Sequence, residues 1–147
     1  MKGFWLIFFI GVVSASALVS GYRTSAISPT NNEAVMRKFE AAFNNHDVAA
    51  MTALVAQNVQ WLSVNGDKLA VETNGKAELE KWLKGYFQSC PSCRSEFEAL
   101  MIAGSYVTVR EKAMWESKSG PKVQRSLGVY ELRDGLIQRV WYYPVEK

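Results

Sequence analysis

The chain has 147 residues, with 17 Lys and Arg against 14 Asp and Glu and a net charge of +3, long enough for one domain with its own core. The basic residues are scattered among acidic ones and form no run, which argues against a nucleic-acid surface, since that needs clustered Lys and Arg. Two cysteines and one histidine are too few for a four-ligand zinc site, and no phosphate loop, dinucleotide motif or serine elbow is present, so neither metal nor cofactor is expected.

Lys2, an apolar stretch from Phe4 to Val13, and small residues ending in Ala15-Ser16-Ala17 follow the order of charge, apolar core and cleavage box of a secretory signal peptide. The leader is expected over residues 1–17, with an outer limit near residue 26. Its apolar run is about ten residues, short of the roughly 20 that cross a bilayer; an uncleaved anchor extending to Val19 is the alternative. No cysteine follows the run, so a lipid anchor is not expected. The expectation is export, periplasmic or secreted, with no stable membrane anchor after leader removal. A polar linker over 18–32 then precedes a single domain over 33–147.

Within that domain, Val35, Phe39, Ala42 and Phe43 keep helical spacing and predict a first amphipathic helix over Glu33 to Phe43. Asn44-Asn45-His46-Asp47 interrupts it. Asp47 is placed to cap a second helix with Val48, Met51, Leu54 and Val55 as its buried stripe, while His46 reads as an outward turn residue. Gln60 to Val64 alternates around Trp61 as a short strand ended by Asn65-Gly66-Asp67. After Thr73-Asn74-Gly75, the residues Leu79, Trp82, Leu83, Tyr86 and Phe87 recur on one face of a third helix. Cys90-Pro91-Ser92-Cys93 comes next. In an exported chain these cysteines are expected to pair as a small staple; a redox role is the alternative, although a reactive Cys-x-x-Cys opens a helix rather than following one. Four strand-like runs complete the chain, Ser95 to Ala103, Tyr106 to Glu116, Val123 to Arg133 and Leu136 to Tyr143, and Asp134-Gly135 is a strong hairpin signal between the last two. Helices gathered first and antiparallel strands gathered last predict an α+β fold with helices on one face of a curved sheet.

One residue breaks the pattern. Val107, Val109, Glu111, Ala113 and Trp115 alternate along a strand and share a face, which places a carboxylate in an otherwise apolar row. Burying an ionised carboxylate is costly unless it is paired or hydrogen-bonded, so Glu111 is the best pointer to a site. In one hairpin register Val109 faces Tyr130, Glu111 faces Gly128 and Ala113 faces Ser126; Gly128 then leaves room for a ligand and Tyr130 offers a hydroxyl nearby. A shift of one residue would bring Leu127 or Val129 there instead. The catalytic candidates are therefore Glu111, as general base, and Tyr130, and the candidate ligand-binding residues are Trp61, Trp82, Tyr86, Trp115 and Gly128. The plainer readings stay open: a structural ion pair or an edge position for Glu111, and core packing for Tyr130 and the tryptophans.

The order of elements resembles the NTF2-like superfamily, in particular its SnoaL-like and steroid-isomerase-like branches. The matching stretches are Phe43-Asn44-Asn45-His46-Asp47-Val48-Ala49-Ala50-Met51 for the junction of the first two helices and Val59-Gln60-Trp61 for the first strand. Asn74-Gly75-Lys76 through Leu83 matches the start of the third helix, and Tyr130 through Ile137 matches the final hairpin. The likeness covers roughly residues 33 to 144. It implies a cone of three helices over a curved, mostly antiparallel sheet, enclosing a pocket for a small apolar or amphipathic molecule, and a homodimer through the outer sheet face, here the side of Arg110, Lys112, Met114, Arg125, Leu127 and Val129. SnoaL-like members often carry an acidic residue before an aromatic one in the last strand. Here Tyr142 stands at that place, which weakens the likeness to those enzymes.

The expected function is that of an exported small-molecule-binding domain with an apolar pocket, capable of cofactor-free acid-base chemistry such as isomerisation. The alternatives are a non-catalytic binding or dimerisation module and a thiol-disulfide protein working through Cys90 and Cys93.

Overall fold

The computed structural model describes residues 29–144; the expected leader and residues 18–28 of the expected linker lie outside them. Helix α1, Pro29–Asn44, begins on a proline, whose fixed φ and missing N–H suit a first helical position. It starts inside the segment read as linker. Asn32 is buried and donates to the Gly104 carbonyl at 3.0 Å, which anchors that extra turn. Helix α2, Val48–Ala53, is capped as expected, with the Asp47 carboxylate accepting from the Ala50 N–H at 2.9 Å.

Val55 does not extend the α2 stripe. Leu54 closes the helix and Val55 opens strand β1, Val55–Asn65, because the apolar positions Val55, Val59 and Leu62 fill the core from a strand. A second strand, β2, Lys68–Asn74, has no counterpart among the predicted elements. It hairpins back on β1 through Gly66-Asp67, with Gly66 at φ 63°, a value that glycine adopts without cost. Leu69, Val71 and Thr73 do fall on alternate positions, but Leu69 and Val71 are exposed, so this short alternation does not mark a core-facing side.

Helix α3, Lys76–Ser89, buries Leu79, Leu83 and Phe87. The Glu78 carboxylate reaches back to the Asn74 N–H at 2.8 Å and secures its entry. Gly85 lies on the exposed side, and a Cβ built there meets nothing within 4 Å. Gly85→Ala should therefore stabilise the fold by about 0.5–1 kcal/mol, read as a higher urea midpoint with unchanged slope. Strands β3, Arg94–Ala103, β4, Tyr106–Ser117, β5, Gly120–Arg133, and β6, Leu136–Pro144, follow. The Asp134-Gly135 turn has φ 53° and 75° and joins paired Arg133 and Leu136, as the Asp-Gly signal predicts.

The six strands run in the order β2-β1-β6-β5-β4-β3, antiparallel except for β1 beside β6. Irregularities in register at Trp61/Leu62, Phe97/Ala99 and Glu131/Leu132 bend the sheet into an open curve. The three helices cover its concave side, and the core lies between, built from Met36, Phe39, Met51, Val59, Leu79, Leu83, Val107, Leu132 and their neighbours. Helix α1 also shields the outermost strand. Glu40 accepts from the Phe97 N–H at 2.7 Å, and the Asn44 amide both donates to and accepts from the Ser95 backbone at 2.8 Å, occupying groups that an edge strand would leave open. No described helix is long and apolar enough to cross a membrane.

Candidate functional site

Glu111 points into the concave side from the middle of β4 and is 9% exposed. Its neighbours hold it in place. Ser95 on β3 donates to one carboxylate oxygen, and the Tyr142 hydroxyl on β6 donates to the other. Ser126, directly opposite Glu111 on β5, donates to the Tyr142 oxygen at 2.5 Å, so the chain of donors runs from Ser126 through Tyr142 to Glu111. Each carboxylate oxygen thus has one hydroxyl partner. Among the described residues Glu111 makes no ion pair. Its burial is therefore offset by hydroxyl donors alone, and its charge stays uncompensated.

The hairpin register differs by two residues from the one drawn in the sequence. Glu111 faces Ser126, Val109 faces Gly128 and Val107 faces Tyr130. A shift of two keeps each side chain on its face, so the inward row survives while the partners change. Gly128 accordingly does not open space for a ligand. A Cβ there would lie 2.8 Å from Tyr130 Cε2, so the missing side chain makes room for the tyrosine ring. Trp115 also leaves the site. It lies near the end of β4, opposite Lys122, in a surface depression beside Arg94 and Pro121.

The other candidates do converge. Glu111, Tyr130, Trp61, Trp82 and Tyr86 all line one cavity of about 250 Å³. Helix α1 adds Phe39, Glu40 and Phe43, and β2 closes the mouth with Glu72, whose carboxylate accepts from Ser63 at 2.5 Å. Trp61 stacks on Trp82 at 6.5 Å between centroids and Trp82 on Tyr86 at 5.2 Å, forming one aromatic wall. Tyr130, 2% exposed, meets Trp61 edge-on at 6.2 Å, and its hydroxyl makes no hydrogen bond within the described residues although the side chain lines the cavity.

Burial first, and then the Glu111 charge, raise the hydroxyls of Tyr142, Tyr130 and Tyr86 above the usual phenol range. For Tyr142 the hydrogen bond to Glu111 adds to the rise, and the bond from Ser126 partly opposes it. Tyr130 and Tyr142 are thus protonated donors at neutral pH.

Ser95, Ser126 and Tyr142 are the site residues that the sequence did not single out for these roles. Each occupies an inward strand position where an apolar residue is the norm, and that is the signal available. Tyr142, which displaces an acidic residue in the family pattern, brings its hydroxyl across β5 to an acid two strands away. His46 is a turn residue at φ 52°, as expected, but it is half-buried rather than outward. Its ring stacks on Phe87 at 4.3 Å, and Arg94 donates to its Nε2 at 2.8 Å. The sulfurs of Cys90 and Cys93 are within disulfide bonding distance, in the turn between α3 and β3. No group of three or more His, Cys, Asp and Glu side chains suited to a metal occurs among the described residues.

Helices closing a cone over a bent sheet define an NTF2-like fold. Within that class the chain belongs to the SnoaL-like domain family, whose model matches residues 36–140. A protein of unknown function with a cystatin-like fold from Methylobium petroleophilum PM1 is similar at a TM-score of 0.70 and 18% identity, over 83% of this chain and 80% of that one. An NTF2-like protein of unknown function from Burkholderia pseudomallei K96243 is similar at 0.66 and 16%, over 78% and 91%. TerC, co-crystallised with polyporic acid, is similar at 0.65 and 16%, over 78% and 92%. No curated protein matches the chain.

Proposed function

We propose that this SnoaL-like domain encloses a small molecule with a largely apolar body and moves a proton on it by acid-base chemistry carried by side chains. One observation carries the reading: a buried carboxylate that makes no ion pair among the described residues shares an aromatic cavity with a tyrosine hydroxyl that has no hydrogen-bond partner among them. Glu111 accepts the proton from a carbon next to a carbonyl, the C–H electron pair becomes the C=C bond of an enolate as the C=O π pair moves onto the oxygen, and Tyr130 donates a hydrogen bond to that oxygen. Where the guest carries a C=C bond β,γ to the carbonyl, the enolate is a dienolate, and return of the proton from Glu111 to its γ-carbon completes an isomerisation that moves the double bond into conjugation. Ser95 and Tyr142 hold the carboxylate in one orientation throughout. The fold likeness to TerC, crystallised with polyporic acid, supports a guest in this cone.

A bicyclic ketone such as 2-tetralone, followed by NMR in deuterated buffer, tests the step. The wild-type protein should accelerate exchange of the protons beside the carbonyl, and Glu111→Gln should lose about a hundredfold or more of that acceleration. Identical rates with and without protein would leave a binding module, the second reading. That reading is favoured by the exposed Met101, Tyr106, Leu127 and Tyr143. The apolar members of this set suit a second copy of the chain on the outer sheet face. Export rests on the leader pattern in the sequence and on the cysteine pair, which suits an oxidising compartment.

A further inference from the structure

We infer that the guest of this cavity carries a positively charged nitrogen on its apolar body. The inference rests on the reading of the cavity as a small-molecule site and names the ligand's charge. Among the described residues every charged side chain that lines the cavity is acidic: Glu40, Glu72 and Glu111, with no Lys, Arg or His. Their situations differ. Glu40 is compensated by Arg37 at 3.0 Å and by the Phe97 N–H. Glu72, at the mouth, has a serine hydroxyl as its partner, and Lys81, which borders the outer groove beside it, makes no ion pair among the described residues. Glu111, deep inside, receives two hydroxyl hydrogen bonds and no cation.

A buried carboxylate without a countercharge leaves a negative field in a low-dielectric hollow, and such a field selects a cation over a neutral or anionic guest of the same shape. The walls act in the same direction. Aromatic faces attract ammonium groups, and the Trp61, Trp82 and Tyr86 stack with Tyr130 and Tyr142 surrounds the space above Glu111 with such rings. The hydroxyl of Tyr130, a buried side chain that lines the cavity and makes no hydrogen bond among the described residues, can accept from an N–H of the guest. Size limits the body. A dry cavity of about 150 Å³ holds benzene, so about 250 Å³ admits one or two fused rings with a short aminoalkyl arm. A cationic nitrogen beside a C–H bond also makes that bond more acidic, which suits a carboxylate base.

Three probes of one shape test this by calorimetric titration at neutral pH: 1-naphthylmethylammonium, 1-naphthylmethanol and 1-naphthoate. The ammonium should bind about tenfold or more tighter than the alcohol, with the carboxylate weakest. Glu111→Gln should remove the advantage of the ammonium over the alcohol, bringing their affinities within about twofold of each other. Saturable binding of the alcohol with no advantage for the ammonium on the wild-type protein would overturn the inference and leave the small-molecule reading intact. Absence of saturable binding by all three probes would remove both. The wild-type comparison needs no variant, so misfolding of Glu111→Gln would not rescue the idea.

Discussion

Stability should fall steeply with alkali, by about 2.7 kcal/mol per pH unit above pH ~10, because two phenols buried in the cavity wall resist ionisation. Tyr130 and Tyr142 have hydroxyls raised by burial first and then by the Glu111 charge. In the unfolded chain each titrates near the ordinary tyrosine value of about 10. Between that value and the higher folded one, the native protein keeps protons that the unfolded chain has lost. Their stabilising contribution is therefore whole below pH ~10 and drains away as pH rises toward the folded values, at about 1.4 kcal/mol per unit for each tyrosine. Tyr86 is raised for the same two reasons, but it is only half-buried, so solvent screens it and it adds little to the slope. Urea unfolding at a series of pH values should show the slope, and Tyr130→Phe should cut it by about half. That variant removes a hydroxyl without a hydrogen-bond partner among the described residues, so its stability at neutral pH should stay within about 0.5 kcal/mol of wild type. A slope unchanged by Tyr130→Phe would mean that this hydroxyl is not enclosed as described.

The parts legible in the sequence were those written in periodicity. The α3 face, the Asp47 cap, the Asp134-Gly135 hairpin and the inward row through Glu111 each follow from spacing or from one residue's conformational preference, and each is present. What escaped depends on contacts between distant segments. Strand β2 has Thr73 as its one buried residue, so the short alternation of Leu69, Val71 and Thr73 marks no core face, and its pairing with β1 follows from the Gly66-Asp67 turn. The register between β4 and β5 is set by a tight turn, with Ser117 paired to Gly120, and a pattern of period two cannot distinguish registers that differ by two. The network around Glu111 combines β3, β4, β5 and β6, which are brought together by a sheet order the sequence does not spell out. Tyr142 shows the consequence. By position it marked the loss of an acid; in three dimensions it is the residue that orients one.

Gly128→Ala should cost about 1–3 kcal/mol, against the usual direction for glycine in a strand, where an added side chain is neutral or helpful. Nothing in its backbone calls for glycine, since its φ is not among the positive ones. The cost is steric. The new Cβ would lie 2.8 Å from Tyr130 Cε2 and 3.4 Å from the hydroxyl oxygen, and the open side left to the ring is the cavity. Phe39 meets it edge-on at 6.3 Å and Trp61 at 6.2 Å, and the residue is 2% exposed. Relief by displacement would push the ring into the cavity and carry the free hydroxyl away from its place, so ligand binding should weaken along with stability. A double-mutant cycle isolates the contact. Tyr130→Leu removes the atoms that the Cβ would strike, and in that background Gly128→Ala should be nearly neutral, giving a coupling of about 1–3 kcal/mol. Full additivity of the two changes would show that Gly128 serves something other than the seat of Tyr130. Gly85→Ala on α3, where a Cβ meets open space, provides the opposite sign in the same protein. The two alanine substitutions thus separate a glycine that a neighbouring ring requires from one that the fold merely tolerates.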